Sequence, residues 1–226
     1  MRVRKLIIAI DGPAGAGKST VAARLAQKLG YLNIETGAMY RALALKAITT
    51  GTSQQDGDAL LKLARASRIE LQPTASGNRV LLDGQNVSTR IRERDVTEAA
   101  SRVSVHPTVR EWMVARQREM GKKGGVVMEG RDIGTAVFPD ADVKIFLDAH
   151  ADVRAGRRVQ QHAEKGVAAA PSAVAAEMRE RDQRDQTRTV SPLVAAEDAH
   201  IIDSSHMTVE QVIAEAERVV KEKLSG

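Results

Sequence analysis

A phosphate-binding loop lies near the start of the chain, where residues 12–20 read GPAGAGKST. Glycines in such a loop let successive backbone N–H groups turn toward phosphate oxygens, and a following helix adds the positive end of its dipole. Lys18 is then placed to reach the β- and γ-phosphates, and the Ser19 hydroxyl can hold Mg²⁺. The segment therefore predicts a nucleoside triphosphate site made of Gly12, Pro13, Ala14, Gly15, Ala16, Gly17, Lys18, Ser19 and Thr20.

Arginines form the second group of residues suited to this chemistry, because phosphoryl transfer requires mainly positioning and charge neutralisation. Arg181, Arg184 and Arg188 are spaced by three and four residues, so they share one helical face. Asp185 follows Arg181 by one turn. On charge pattern alone, a solvated stripe of ion pairs, each contributing about 0.3 to 0.5 kcal/mol, is the simpler interpretation.

A functional interpretation is favoured for residues 129–135, which read EGRDIGT after a predicted buried strand. The adjacent Arg131 and Asp132 can hold an anion and a hydrogen-bond donor side by side. The flanking glycines permit close approach of a ligand. We therefore expect this loop to line a binding site in preference to forming an ordinary salt bridge.

Residues 35–41 read ETGAMYR and follow a second predicted strand. Thr36 is placed to cap the next helix, and Arg41 lies one turn inside that helix. For Thr36, a plain helix cap and a phosphate contact are equally compatible with the sequence.

The elements that must position these motifs alternate between strands and helices, as is typical of a parallel sheet with crossover helices. Polar or glycine residues follow several predicted strands, and ligands bind at the carboxyl ends of parallel strands. A helical pattern over residues 95–120 is interrupted at Pro107. The predicted strands are 6–10, 32–34, 126–128, 143–147 and 201–202.

Two segments interrupt this alternation. Residues 69–87 read as short strands separated by a turn at 72–78 and by the dipeptide Asp83-Gly84, which predicts a small antiparallel insertion. Residues 166–191 begin as an Ala-rich loop and continue as a run too charged for a core, which predicts a solvated helix or a mobile flap.

Composition limits the classes of partner. The chain has 226 residues, enough for one α/β core with an insertion. Aromatic residues make up 2%, too few for a platform that stacks single-stranded bases, and the net charge of +5 also suits small phosphorylated substrates. Cysteine is absent and no apolar run approaches membrane-spanning length. We expect a cytoplasmic monomer with neither nucleic acid nor membrane as partner.

Five motifs in order, GPAGAGKST, ETGAMYR, EGRDIGT, FPDADVKIFLDA and RDQRDQTR, resemble those of the bacterial cytidylate kinases, a family of nucleoside-monophosphate kinases. The resemblance spans nearly the whole chain. It implies an α/β, three-layer P-loop NTPase fold with a five-stranded parallel sheet and an adenylate-kinase-like core. It further implies one domain, 1–226, divided into a core (1–60, 96–150 and 192–226), an antiparallel monophosphate-binding insertion (about 61–95) and a lid (about 151–191).

The resemblance also implies transfer of a phosphoryl group from ATP to CMP or dCMP, with Mg²⁺ as cofactor on Ser19. Lys18, Arg131, Arg181 and Arg188 become the catalytic residues. The implied CMP site has three groups of residues: Arg41, Arg131 and Arg188 at the phosphate, Arg181 and Asp185 at the sugar, and Ser101, Arg110 and Asp132 at the cytosine. Thr36 also belongs to this site.

The residue types match cytosine, whose N4 amine is a donor beside the N3 and O2 acceptors. A carboxylate and a hydroxyl can accept from the amine while an arginine donates to the acceptors. Uracil carries O4 in place of the amine, so UMP should be a poor substrate. Glu35 departs from the family, which usually has Asp there, and Arg157 and Arg158 are either phosphate contacts or solvated.

Two alternatives remain open at this point. A kinase of the same architecture could act on UMP, dephospho-coenzyme A or shikimate. A nucleic-acid-dependent P-loop ATPase is suggested by the basic charge and by VKIFLD at 143–148, which imitates a metal-binding strand end. A GTPase switch is disfavoured, because neither an NKxD nor a DxxG motif occurs in the chain.

Overall fold

A central parallel sheet carries the fold in the computed structural model, which describes residues 5–74, 77–164, 166 and 168–225. Its strand order is β2-β6-β1-β7-β8. The five predicted strands are confirmed, and each continues one residue further at its carboxyl end, so that an acidic residue ends every strand. The strands are Ile7–Asp11 (β1), Leu32–Glu35 (β2), Val126–Glu129 (β6), Val143–Asp148 (β7) and His200–Asp203 (β8).

Helices cover both faces of this sheet and give the three layers. One face packs against α1 and α8 through a core of Val, Leu and Ile side chains. The other face, together with the antiparallel sheet, packs against the helices that follow β2. The helices are Lys18–Leu29 (α1), Thr36–Thr50 (α2), Gly57–Ala66 (α3), Arg94–Val103 (α4), Pro107–Gly121 (α5), Ala151–Glu164 (α6), Pro171–Thr187 (α7) and Val209–Ser225 (α8).

The predicted insertion is an antiparallel sheet of Ile69–Thr74 (β3), Gly77–Leu82 (β4) and Gln85–Asn86 (β5). Asp83 and Gly84 both have positive φ, at 51° and 84°, as a tight two-residue hairpin turn requires. The turn expected at 72–78 lies partly outside the described residues, at positions 75 and 76. Two short segments complete the chain path, a 3-10 turn at Arg90–Arg92 and a π-helical turn at Ile133–Val137.

The charged segment after residue 170 corrects one prediction. It forms α7, but that helix is not solvated all round: Asp185 is 5% exposed, and Arg188, just past its end, is 8% exposed. These charges are buried because oppositely charged side chains from other elements face them. Among the described residues, none of the helices is both long and apolar enough to cross a bilayer.

Candidate active site

One cavity of about 850 Å³ lies at the carboxyl ends of β1, β2 and β6. The loop at 12–20 lines one side of it, and α4, α5 and α7 line the other. Gathered around it are the P-loop residues from Ala14 to Thr20 and every residue assigned to the CMP site: Thr36, Arg41, Ser101, Arg110, Arg131, Asp132, Arg181, Asp185 and Arg188.

The loop after β1 has the backbone shape that phosphate binding requires. Gly12, Gly15 and Gly17 all have positive φ, at 144°, 78° and 99°. A Cβ on Gly12 would lie 2.0 Å from the carbonyl oxygen of Leu147, so only glycine fits where the loop leaves the sheet. Gly17 then caps α1 in the left-handed conformation, and the N-terminus of that helix faces the loop.

Lys18 is buried and curls back onto this loop. Its Nζ donates to the carbonyl oxygen of Pro13 at 2.6 Å. Burial, reinforced by the nearby positive charge of Arg131, lowers the pKa of Lys18 to about 7. A bound triphosphate would place further negative charge beside this ammonium group.

Asp11, the last residue of β1, organises the neighbouring loop. Its two carboxylate oxygens accept from the backbone N–H groups of Ile133 and Gly134 at 2.8 and 2.7 Å. Burial raises the pKa of Asp11 to about 6, although these N–H donors act against the rise. The carboxylate thereby holds the π-helical turn, which begins directly after Asp132, against the P-loop.

Glu129 ends β6 beside the P-loop and is 4% exposed. Burial and the neighbouring carboxylate of Glu35 raise the pKa of Glu129, whereas Lys18 and a hydrogen bond from Ser19 lower it. Its Oε1 has no hydrogen-bond partner among the residues that the structure describes. An oxygen-rich corner therefore forms where Ser19, Glu35 and Glu129 meet.

The structure corrects the capping role expected for Thr36. Glu35 occupies the N-cap position of α2, and its side chain makes no capping hydrogen bond. Thr36 is instead the first residue of the helix, and its hydroxyl donates to the carbonyl oxygen of Glu129 at 2.7 Å. This bond ties α2 to β6 because the carboxyl ends of β2 and β6 are paired in register, Glu35 opposite Glu129.

Glu35 also links two arginines at the rim of the cavity. Its oxygens accept from Arg41 Nη2 at 2.5 Å and from Arg92 Nη2 at 2.8 Å. Burial acts to raise the pKa of Glu35, but the two guanidinium groups outweigh it and the pKa is lowered. One carboxylate thus holds both Arg41 and Arg92 at the rim.

A chain of alternating charges joins the 129–135 loop to α7. Arg131 Nε donates to Asp185 Oδ2 at 2.8 Å, and Arg188 Nη1 lies 3.7 Å from Asp185 Oδ1. Arg181 shares this region, and burial together with Arg131 lowers its pKa to about 10. Asp185 pairs with Arg131 from another loop, and the simpler interpretation of α7 as a solvated stripe is wrong.

The deepest part of the cavity holds a buried ion pair. Arg110, 1% exposed, donates through Nη2 to Asp132 Oδ2 at 2.5 Å and through Nη1 to the Ser104 carbonyl oxygen at 3.0 Å. Its guanidinium carbon lies 5.6 Å from the centroid of the Tyr40 ring. Arg188 Nη2 approaches Asp132 Oδ1 at 3.8 Å. A carboxylate flanked by donors and a flat ring can accommodate a planar polar group.

Ser101 lies on α4 at the same end of the cavity and is 4% exposed. Its hydroxyl oxygen accepts from Arg184 Nε of α7 at 3.1 Å. Val109 and Met113, on the following helix, are fully buried in the core. The helical break expected at Pro107 is confirmed, since α5 begins there.

Sequence reasoning missed Arg154, a residue of α6 that joins the P-loop to α7. Its Nη1 donates to the Ala14 carbonyl oxygen at 3.1 Å and to Asp182 Oδ2 at 2.6 Å, and its Nε donates to the Ala149 carbonyl oxygen at 2.9 Å. The available signal was its position on α6, one turn before Arg158. Arg157 binds the hydroxyl and carbonyl oxygens of Ser204.

Not every acidic strand end reaches the cavity. Asp148 accepts from the N–H of Ala149, and Asp203 accepts from the N–H and hydroxyl of Ser205, so both cap local turns. Across the described ranges, no group of three or more His, Cys, Asp or Glu residues is arranged to hold a metal by itself. Any metal here would need ligands from a bound nucleotide or water.

Comparison with known proteins agrees with these features. The family described as Cytidylate kinase matches residues 8–222. The cytidylate kinase of Pelotomaculum thermopropionicum is 53% identical over 91% of this chain and 92% of its own length. That of Enterococcus faecalis is 49% identical over 97% of both chains, and that of Anoxybacillus flavithermus 47% over 99% of both.

The fold is also shared by a protein of low sequence identity. The crystal structure of an uncharacterized protein from Eubacterium ventriosum superposes with a TM-score of 0.52 at 12% identity, covering 96% of this chain and 99% of that one. That likeness concerns the fold alone. The family match and the near-complete overlap with its relatives identify the present chain as a member of the cytidylate kinase family.

Proposed function

We propose that this protein transfers the γ-phosphoryl group of ATP to the 5′-phosphate of CMP or dCMP, giving ADP and CDP or dCDP. The supporting observation is that one cavity joins the P-loop to the buried Arg110–Asp132 pair. A nucleotide seated on that pair by its base would direct its phosphate toward Lys18. The family membership points to the same acceptor.

The reaction needs no protein nucleophile. An oxygen of the acceptor phosphate attacks the γ-phosphorus, and the bond from that phosphorus to the β,γ-bridging oxygen breaks, so ADP leaves. Both reactants are anionic, so their mutual repulsion must be screened. Lys18 at the donor and Arg131 and Arg181 between donor and acceptor would do this, and all three line the cavity.

The P-loop corner fits Mg²⁺. This ion prefers oxygen ligands and in nucleotide sites is held by one or two carboxylates or hydroxyls together with phosphate oxygens and water. The Ser19 hydroxyl would hold it, with the buried carboxylate of Glu129, whose Oε1 lacks a partner in the described part of the chain, and Glu35 close by. When bound, the ion would neutralise charge on the β- and γ-phosphates.

Base selection follows from the donors and acceptors at the deep end of the cavity. Asp132 and the Ser101 hydroxyl would accept from the N4 amine of cytosine, while Arg110 donates to its acceptors. Uracil would place its O4 acceptor against the carboxylate, and Asp132 would lack the hydrogen bond from the amine. Each unmatched buried partner costs about 1 to 3 kcal/mol, which corresponds to about a tenfold to hundredfold preference for CMP.

The acceptor phosphate would be held by Arg41, Arg131 and Arg188. Each of these arginines already pairs with a protein carboxylate, so the acceptor phosphate would replace that carboxylate as the partner. Arg181 and Asp185 would reach the sugar. We retain as part of the proposal the division into core, insertion and lid, together with a monomeric, cytoplasmic enzyme that binds neither nucleic acid nor membranes.

A coupled assay of ADP release with ATP and Mg²⁺ tests the proposal. We expect turnover with CMP and dCMP and at least tenfold lower kcat/KM with UMP. AMP, dephospho-coenzyme A and shikimate serve as competing acceptors. Rapid phosphorylation of one of these with CMP left unchanged would overturn the assignment. ATP hydrolysis stimulated by RNA, with a steep salt dependence, would favour a nucleic-acid-dependent ATPase.

A further inference from the structure

Arg184 contacts one of the base-reading residues, although neither the sequence motifs nor the resemblance assigns it a role. It lies on α7 in the predicted lid, whereas Ser101 lies on α4 in the core. The 3.1 Å hydrogen bond from Arg184 Nε to Ser101 Oγ joins residues 83 positions apart. Within the described segments, the one ion pair of Arg184 is with the exposed Glu180, at 3.6 Å.

The hydrogen-bonding capacity of the two groups makes this contact directional. A serine hydroxyl has one proton and two lone pairs, whereas a guanidinium group can only donate. Arg184 therefore donates to one lone pair of Ser101 Oγ, and the hydroxyl proton cannot point toward Arg184. The second lone pair remains available to accept from an amine in the cavity. Ser101 is 4% exposed, so water does not substitute freely for Arg184.

We propose that Arg184 is a positioning residue for base selection: it orients the Ser101 hydroxyl so that this group accepts from the N4 amine of cytosine. Without Arg184 the hydroxyl rotates and can donate to O4 of uracil as readily as it accepts from an amine. Because Arg184 belongs to α7, correct orientation also requires that helix to lie over α4. This inference rests on the proposed function, CMP phosphorylation.

A purely structural role makes a different prediction. Arg94 of α4 also contacts α7, through Glu177 at 3.3 Å, and both side chains are partly exposed. If Arg184 only held α7 against α4, removing either arginine would lower activity with CMP and UMP in the same proportion. If Arg184 orients Ser101, its removal alone changes the ratio between the two substrates.

The test measures kcat/KM for CMP and for UMP in the wild type and in Arg184→Gln, Arg184→Lys, Arg94→Gln, Ser101→Ala and the Arg184→Gln/Ser101→Ala double variant. We expect Arg184→Gln to lower the CMP-to-UMP ratio about fivefold, the scale of one ordinary hydrogen bond. Arg184→Lys keeps a charged donor and should recover part of the ratio. Arg94→Gln should leave the ratio unchanged.

The double variant decides whether the effect passes through Ser101. In the Ser101→Ala background, Arg184→Gln should change the ratio less than twofold, because no hydroxyl is left to orient. An equal reduction in both backgrounds, or an unchanged ratio in Arg184→Gln, would overturn the inference while CMP phosphorylation by the wild type stood. A wild type inactive on CMP would overturn the proposed function itself, and this inference with it.

Discussion

The two sides of the cavity, which we propose hold the phosphoryl donor and the acceptor, are built in different ways. On the donor side, one continuous segment of backbone, residues 12–20, turns through three glycines of positive φ, and Lys18 is held by a carbonyl oxygen of the same segment. On the acceptor side, separate elements each supply one charged side chain, and the carboxylates of Glu35, Asp132 and Asp185 pair with arginines from elsewhere.

This difference determines what each substrate must do. Under the proposed function, a triphosphate would bind one continuous loop that needs little rearrangement. An acceptor nucleotide would bind among arginines that already pair with protein carboxylates, so its phosphate would have to replace those carboxylates. Leaving one member of a buried ion pair unpaired costs about 3 to 5 kcal/mol, which makes the acceptor side sensitive to single charge changes.

The largest expected effect tests the donor side. Lys18→Ala should lower kcat/KM by about 10³-fold, because no other side chain of the P-loop carries positive charge to the transferred phosphate. The ADP-release assay measures it. Lys28→Ala, on the exposed face of the same helix, is the matched control and should retain full activity. Comparable loss in the two variants would show that the effect comes from the helix and not from the phosphate contact.

A change on the acceptor side should affect selectivity more than rate. Asp132→Asn should reduce the preference for CMP over UMP by about tenfold to hundredfold, because the amide can donate to O4 of uracil. Asp132→Ala should have a similar effect on selectivity but also leave the buried Arg110 unpaired. Exposed Asp198 provides the control Asp198→Asn. Unchanged base preference in the Asp132 variants would refute its role.

The pH dependence of ATP binding would sharpen the contrast between the buried Lys18 on the donor side and the paired arginines on the acceptor side. Burial lowers the pKa of Lys18 to about 7, and bound phosphates would favour the charged ammonium. Above pH 7, ATP binding must therefore take up a proton, and the affinity should fall by up to about tenfold per pH unit. Calorimetry in buffers of different ionisation enthalpy measures the uptake. Lys18→Arg, always charged, should abolish it; identical uptake in both proteins would contradict the assignment.

The smallest effect concerns the link that Arg154 makes between the P-loop and α7. Arg154→Gln removes the donor to Ala14 and the partner of Asp182. We expect the KM for ATP to rise about threefold to tenfold, with the CMP-to-UMP ratio unchanged. Arg179→Gln, an exposed position on α7, is the control. A change in base selectivity after Arg154→Gln would mean that the two sides of the cavity are not independent.

Local patterns in the chain predicted the framework. The apolar runs before polar residues located all five parallel strands, and the Asp83-Gly84 dipeptide located a hairpin turn that has the expected positive φ angles. Of the two roles open for Thr36, the helix cap is wrong, because whether a hydroxyl caps its own helix or reaches the Glu129 carbonyl depends on which strand lies next to it. Strand neighbours that are distant in sequence leave no local signal.

The same reason explains the segment around α7. Its charges suggested a solvated helix, but Asp185 is buried because Arg131 comes from a loop 54 positions away. Arg154 was overlooked for a similar reason, since its partners Ala14 and Asp182 belong to two other segments. The roles of these residues toward nucleotides stay predictions until the variants above are measured.

Local sequence was sufficient to predict the phosphate-binding loop and the family. The loop depends on glycines and a lysine within nine consecutive residues, and the family was identified from five short motifs. Tertiary structure alone decided which carboxylate faces which arginine around the acceptor, and which serine Arg184 contacts. Burying a charge is unfavourable unless an opposite charge or a hydrogen bond meets it. That compensation comes from elements brought together only when the chain folds.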